Sequence, residues 1–231
     1  MPTDPVGGDL GERLARVSAE VADAARVAGR RPDEITTIVV TKFHPAGLVR
    51  SLHALGVRDV GENRHQEAQV KSSELDDLEG LNWHFVGQLQ SKKARQARRY
   101  ASAVHSLDRV SVVDALAVDD GSLIDGFVQV NLTDDPGRGG VAPGDIDALA
   151  ERIASTPGLR LRGVMAVAPL DEPARPAFAR LRAVSDRVRS IEPGAGDISA
   201  GMSGDFAEAI AEGATHLRIG TAITGMRPSA R

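Results

Sequence analysis

The chain has 231 residues, 42% hydrophobic and 26% charged, with a formal net charge of −4, 3% aromatics and no cysteine. These values fit a soluble globular protein. They exclude disulfides, thiolate catalysis and cysteine-ligated metal, and give no reason to expect nucleic acid or an anionic membrane as a partner. Residues 1–8 are polar and rich in proline and glycine, which predicts a loose terminus and no secretory signal.

From Leu10 the spacing Leu10, Leu14, Val17, Val21, Ala24, Ala25, Ala28 predicts a helix that stops at Gly29-Arg30-Arg31-Pro32. The run Ile35, Thr36, Thr37, Ile38, Val39, Val40 predicts a strand buried on both faces, ending at Thr41-Lys42. Helical spacing returns over 44–55. A short strand over 57–60 leads to Gly61-Glu62-Asn63-Arg64, then a polar helix to about residue 75. Strands at 83–87, 103–107, 123–130, 159–167, 197–200 and 215–219 follow. Between them lie helices at 91–100, 110–118, 145–155, 173–191 and 204–212. Eight strands, each followed by a helix or its start, predict a parallel sheet closed as a single (β/α)₈ TIM barrel with an extra N-terminal helix. An open doubly wound sheet is the rival, but its glycine-rich turn after the first strand is missing: Lys42, Phe43 and His44 stand there. The expected organisation is a loose 1–8 and one barrel domain over 9–231.

Active faces of such barrels lie at the carboxyl ends of the strands. Lys42, Glu62, Asn63, Arg64, His84, Gln88, Ser106, Asp108, Asn131, Ser199, Ser203 and Arg218 all fall at or just past strand ends in this reading. Ser199-Ala200-Gly201-Met202-Ser203-Gly204-Asp205 and Arg218-Ile219-Gly220-Thr221 follow the seventh and eighth strands, where barrels commonly bind phosphate through backbone amides. Ser203 alone would read as a plain helix cap. Closing the barrel sets Lys42 beside these loops. An amine near a phosphate site suits capture of an aldehyde, and pyridoxal 5′-phosphate (PLP) carries both groups on one ring. The ordinary alternative for Lys42 is a salt-bridged or snorkelling lysine. Arg218, if inward, would face the pyridine nitrogen; its alternative is a pairing with a carboxylate such as Glu62. His84 reads as a proton-transfer group or a hydrogen-bonded core residue. Asn131 reads as a ring contact or the holder of the loop after it. The basic run Lys92, Lys93, Arg95, Arg98, Arg99 reads as a solvated helix face. No spacing suggests a metal site.

The segments VTKFHP, GENR, WHFVGQLQSKK, HSLD, GVMAV, SAGMSGDFAEAI and HLRIGTAITGMR occur in the order of the pyridoxal phosphate homeostasis proteins (the YggS/PROSC family), and the chain resembles that family from about residue 10 to 227. The resemblance implies a barrel like that of alanine racemase without its second domain, with Lys42 forming the Schiff base. It also implies that Ser203, Gly220 and Thr221 hold the phosphate, Arg218 faces the pyridine nitrogen, and Asn63, Met202 and the Ser199 region line the pocket. His44 stands where the family often has a second lysine, the family's LQ-x-NK pattern becomes Leu89-Gln90-Ser91-Lys92, and Arg138 and Gly140 occupy a loop where lysine is frequent. The implied role is intracellular PLP homeostasis: a cytoplasmic monomer that buffers PLP or delivers it by transient contact with apo PLP-dependent enzymes, without catalysis of its own. An amino-acid racemase is the alternative. It would need a second base, and the one tyrosine, Tyr100, lies late in a predicted helix. A more distant alternative is a barrel that binds a phosphorylated metabolite without an imine.

Overall fold

The apolar runs become eight parallel strands that pair in sequence order and close on themselves, β1 with β8. This computed structural model describes residues 9–133, 135 and 137–226; the loose terminus expected at 1–8 lies outside them, as does 227–231. After helix α1 (Leu10–Val27), strands β1 (Thr36–Val40), β2 (Asp59–Glu62), β3 (Asn82–Phe85) and β4 (Ala103–Leu107) alternate with helices α2 (Ala46–Ala54), α3 (His65–Glu74), α4 (Ser91–Ala97) and α5 (Val110–Leu116). The second half continues with β5 (Ile124–Gln129), α6 (Ile146–Ala154), β6 (Leu159–Met165), α7 (Ala174–Ile191), β7 (Asp197–Ser199), α8 (Phe206–Ala211), β8 (His216–Ile219) and a single turn, α9 (Thr221–Thr224).

Several boundaries differ from the periodicity, each for a local reason. β1 stops at Val40, so Lys42 lies in a turn beyond the strand rather than at its last position. Val57 does not open β2, because its amide still bonds back to Leu52 O at 3.0 Å as part of the end of α2. β2 therefore starts at Asp59, and Glu62 becomes its last residue. α4 ends at Ala97, and Arg98 leaves the helix surface to donate to Leu116 O, Gly158 O and Ser122 O at 2.8–3.1 Å. The expected solvated face thus holds for Lys92, Arg95 and Arg99 but not for Arg98, which latches three connections together.

The main core lies between the barrel's outer surface and the helices, where Leu52, Leu107, Leu116, Ile153, Leu181, Ile210 and Leu217 are fully buried. The barrel interior is unusual. Branched aliphatics normally fill it, but here Ala103, Phe127 and Met165 make a small apolar cluster. His84, His105, Ser199 and Arg218 are buried beside it. The His105 ring stacks on Phe127 with centroids 4.2 Å apart.

α1 completes the outer ring. It is capped by Asp9, whose carboxylate accepts from the Glu12 amide at 2.8 Å. Its stripe Val17, Val21, Ala25 is buried, and the helix packs against α8 and α9. α9 is too short to cover β8, so α1 takes the position an eighth outer helix would fill. Arg13 Nε donates to Ile223 O at 2.8 Å and Arg30 Nη1 to Ala214 O at 2.6 Å, tying the helix to both sides of β8. Burial of each valine contributes about 2 kcal/mol. No helix among the described residues is long and apolar enough to cross a membrane.

Candidate cofactor site

The turn after β1 is built to present Lys42. Thr41 is fully buried and its amide bonds to Gly61 O at 2.9 Å, which continues the ladder one residue past β1. The chain then reverses, with the His44 amide returning to Thr41 O at 3.1 Å. Phe43 takes φ 67°, a left-handed conformation that costs a non-glycine residue about 1–3 kcal/mol. α3 and its approach hold it there: the Phe43 amide donates to Glu67 Oε2 at 2.9 Å, and the Arg64 guanidinium lies 4.8 Å from the ring centroid. Lys42 itself is exposed. Its amine makes no hydrogen bond or ion pair among the described residues and approaches only the Phe43 ring, at 5.9 Å.

Beneath this turn lies a buried charge pair that sequence reasoning missed. Lys71 Nζ donates to Glu62 Oε1 at 2.6 Å and to Thr41 O at 2.9 Å, and Thr41 Oγ1 donates to the same carboxylate oxygen at 2.6 Å. Glu62 is 1% exposed and Lys71 6%. Burial pushes the Glu62 carboxyl above its ordinary range, against the pull of Lys71 and Thr41. A signal was present: Ala68 and Lys71 on α3 and Leu75 just past its end share helical spacing, and all three are buried. Glu62 Oε2 and Asn63 Oδ1 are buried without a hydrogen-bond partner. Asn63 is pressed against Gly87, where a Cβ would meet Asn63 O at 2.1 Å, so only glycine fits beside it.

The two loops after β7 and β8 lie next to this turn. β1 pairs with β8 through Val39 and Ile219, and a Cβ on Gly220 would stand 3.6 Å from Val40 O. The Arg218 amide donates to Gly201 O at 2.9 Å, joining the loop over 200–205 to β8. Gly201 has φ +92°, and a Cβ there would meet Ala209 Cβ at 2.8 Å, so the loop folds tightly onto α8. Asp205, not Ser203, stands at the N-cap position of α8, and its carboxylate turns back to accept from the Met202 amide at 2.6 Å instead of from the helix. Ser203 is therefore no helix cap; it is exposed in the loop, as are Met202 and Thr221. Among the described residues the amides of Ser203, Gly204, Thr221 and Ala222 meet no acceptor.

Arg218 points inward. It is 6% exposed; Nη1 donates to Ser199 Oγ at 2.7 Å and Nη2 to Ala166 O at 2.8 Å. No carboxylate lies within ion-pair distance among the described residues, and Glu62 is engaged elsewhere. Burial lowers its pKa to about 10, which leaves it cationic at neutral pH. Ser199 is fully buried and reaches the cup only through Arg218 and His105. His84 is a hydrogen-bonded core residue, held by Asp59 and His105. Asn131 is spent on the following loop: Oδ1 accepts from Thr133, and Nδ2 donates to Asp135 O. The Tyr100 hydroxyl pairs with His65 Nδ1 at 3.3 Å, in a satellite cluster with Val49, Val60, Leu75 and Trp83. Burial raises its pKa.

These groups follow or sit near the carboxyl ends of β7, β8, β1 and β2, which are neighbours in the closed barrel: a free amine, open amides with two hydroxyls, an unpartnered amide oxygen and a buried cation. That donor set fits an aldehyde-bearing phosphate ester with a basic ring nitrogen. The alanine racemase N-terminal domain family matches residues 13–228. The chain is 42% identical over 224 residues to the pyridoxal phosphate homeostasis protein of Pseudomonas aeruginosa, covering 94% of this chain and 96% of that one. It is 37% identical over 227 residues to that of Escherichia coli K12, covering 95% and 97%. The structure of PipY from Synechococcus elongatus with PLP bound superposes with a TM-score of 0.77 at 33% identity, over 94% of this chain and 100% of that chain. Alanine racemase from Corynebacterium glutamicum shares the fold, with a TM-score of 0.70 at 16% identity over 93% of this chain and 61% of that one. On the strength of the matches to curated relatives along nearly its whole length, the chain belongs to the pyridoxal phosphate homeostasis protein family.

Proposed function

We propose that the cup at the carboxyl end of this barrel binds pyridoxal 5′-phosphate through Lys42, and that the protein serves intracellular PLP homeostasis by holding and releasing it. The observation that carries this reading is the unpartnered Lys42 amine in the turn after β1, the strand paired with β8, whose own turn presents the open Thr221 and Ala222 amides. The names of the curated relatives and the PLP-bound PipY structure support it. PLP supplies an aldehyde that condenses reversibly with an amine, a phosphate and a pyridine nitrogen on one rigid ring. Lys42 is the amine of the Schiff base. Ser203, Gly220 and Thr221 receive the phosphate by hydroxyl and amide. Arg218 faces the ring nitrogen and, as a fixed cation, keeps it unprotonated, which weakens the ring as an electron sink. Asn63 and Met202 line the pocket, and Ser199 acts by orienting Arg218.

The same residues favour a carrier over a catalyst. Racemisation needs a base on each face of the substrate carbon. The Tyr100 hydroxyl is tied to His65 outside the barrel and holds its proton more firmly than a free phenol. The reading therefore takes residues 9–231 as one PLP-binding barrel domain, a cytoplasmic monomer in transient contact with apo PLP-dependent enzymes. Borohydride reduction of the PLP-loaded protein, followed by peptide mapping, tests it. Label is expected on Lys42, and Lys42→Ala should lose both the label and the imine absorption band while keeping the fold. Undiminished labelling at another lysine would overturn the assignment. Robust racemisation of alanine or serine by the pure protein would overturn the carrier reading.

A further inference from the structure

A continuous line of polar side chains crosses the barrel interior. Asp59 Oδ1 lies 3.0 Å from His84 Nε2, and His84 Nδ1 lies 2.9 Å from His105 Nε2. His105 Nδ1 lies 2.8 Å from Ser199 Oγ, and Arg218 Nη1 donates to that hydroxyl at 2.7 Å. Asp59 is the first residue of β2, at the amino end of its strand, and Ser199 is the last of β7, buried beneath the cup. The line therefore runs from the amino end of β2 through the interior to Arg218.

The direction of every hydrogen bond in it follows from one end. A carboxylate only accepts, so His84 must carry its proton on Nε2. Its Nδ1 is then an acceptor, and His105 must donate from Nε2. His105 Nδ1 is left to accept, so the Ser199 hydroxyl donates to it and uses its oxygen to accept from Arg218. The reverse polarity would set a bare His84 Nε2 lone pair against the Asp59 carboxylate at 3.0 Å or, with His84 doubly protonated, would put a second cation in an interior that already buries Arg218. Both imidazoles must be neutral for this arrangement. Burial, with the Arg218 charge adding to it, holds His105 well below its ordinary pKa. Asn82 Nδ2 also donates to Asp59 Oδ1, at 3.1 Å, which helps to hold the carboxylate. His216 stays outside the line, its ring centroid 6.2 Å from His105 and its Nδ1 on Thr215.

A buried guanidinium without a counter-ion is costly, and Arg218 has no carboxylate in contact with it among the described residues. Asp205 acts on it only through space, its carboxylate being taken by the Met202 amide. We propose that Asp59 polarises the line that ends on Arg218: its carboxylate sets the tautomers of His84 and His105, which with Ser199 position the guanidinium. All four are positioning residues for Arg218.

Long-range ¹H–¹⁵N correlation spectra of the histidine-labelled full chain, without PLP, test the proposal directly. Wild type should show His84 and His105 neutral and protonated on Nε2. Asp59→Ala should shift His105, two links away, toward the Nδ1-protonated form. Asp59→Asn, whose amide oxygen still accepts, should keep the wild-type pattern. Ser199→Ala should leave both tautomers unchanged, because polarity is set from the Asp59 end. Nδ1-protonated His105 in wild type, an unaltered His105 in Asp59→Ala, or a flip in Ser199→Ala would each overturn the proposal. A last arm rests on the cup being the PLP site: Asp59→Ala should lose PLP about three to ten times faster, the range one hydrogen bond spans. Shifted tautomers with unchanged PLP loss would overturn the positioning role. Failure of Lys42 labelling would strike only the cofactor reading and leave the tautomer result standing.

Discussion

Lys71 and His216 show what a single side chain does inside this barrel. Lys71 holds Glu62 and the Thr41 carbonyl together under the turn that carries Lys42. Removing one member of a buried pair leaves the other uncompensated, so Lys71→Met should cost about 3–5 kcal/mol in urea unfolding. The double variant with Glu62→Gln should recover much of that loss; a single variant as stable as wild type would refute the coupling. His216 bears on pH. Burial lowers its pKa to about 4, against the opposing pull of Asp197. Between pH 4 and 6.5 the unfolded chain therefore binds more protons than the folded one, and stability rises with pH across that window. Its share is intact above 6.5 and lost as the pH falls to 4. His216→Gln should flatten the stability profile there by about 3 kcal/mol, and a profile parallel to wild type would place the slope on another group. Lys42 and Arg218 were legible in the sequence because strand ends with odd polar residues are countable. Lys71 was not, because a lysine on a polar helix reads as exposed unless its helical neighbours are checked for burial.

At the scale of elements, the cup depends on close approaches between neighbouring connections. Gly87, just past β3, leaves no room for a side chain against the Asn63 backbone, which follows β2. Gly87→Ala must displace the chain that carries Asn63. It should cost about 1–3 kcal/mol and weaken PLP retention, with thermal unfolding and PLP dialysis as the readouts; retention equal to wild type would remove Asn63 from the pocket. Strand order and the neighbouring of Lys42 with Gly220–Thr221 followed from the eightfold alternation, since closure admits one partner for β1 on that side. The hydrogen-bonded line from Asp59 to Arg218 did not. It depends on which face of each strand turns inward and on the stagger between strands, and a single-residue slip would send every member to the helical side. Helix ends such as Ala97 and Val57 were also hidden, because they depend on carbonyls contributed by other elements or by the preceding turn.

For the whole molecule, α1 is part of the barrel wall. It was read from its spacing as an extra helix, and its role as cover for β8 could not be read, because that depends on α9 being a single turn. Val21→Ala on its buried stripe should destabilise the protein by about 2 kcal/mol and loosen the Gly220–Thr221 side of the cup. Hydrogen exchange at α9 measures both. Unchanged exchange there would mean that α1 and the cup are energetically separate.

The lock between the first helix and the last turn also has a consequence in time. Arg13 and its acceptor on Ile223 are 210 residues apart. At typical elongation rates the amino-terminal helix leaves the ribosome about 10–40 s before its partner exists. Through most of that interval its valine stripe has nothing to cover, and the loops after β7 and β8 are among the last parts of the barrel to be made. The cup is thereby completed only when the last strand and its turn arrive, and until then the nascent chain exposes one apolar helix face.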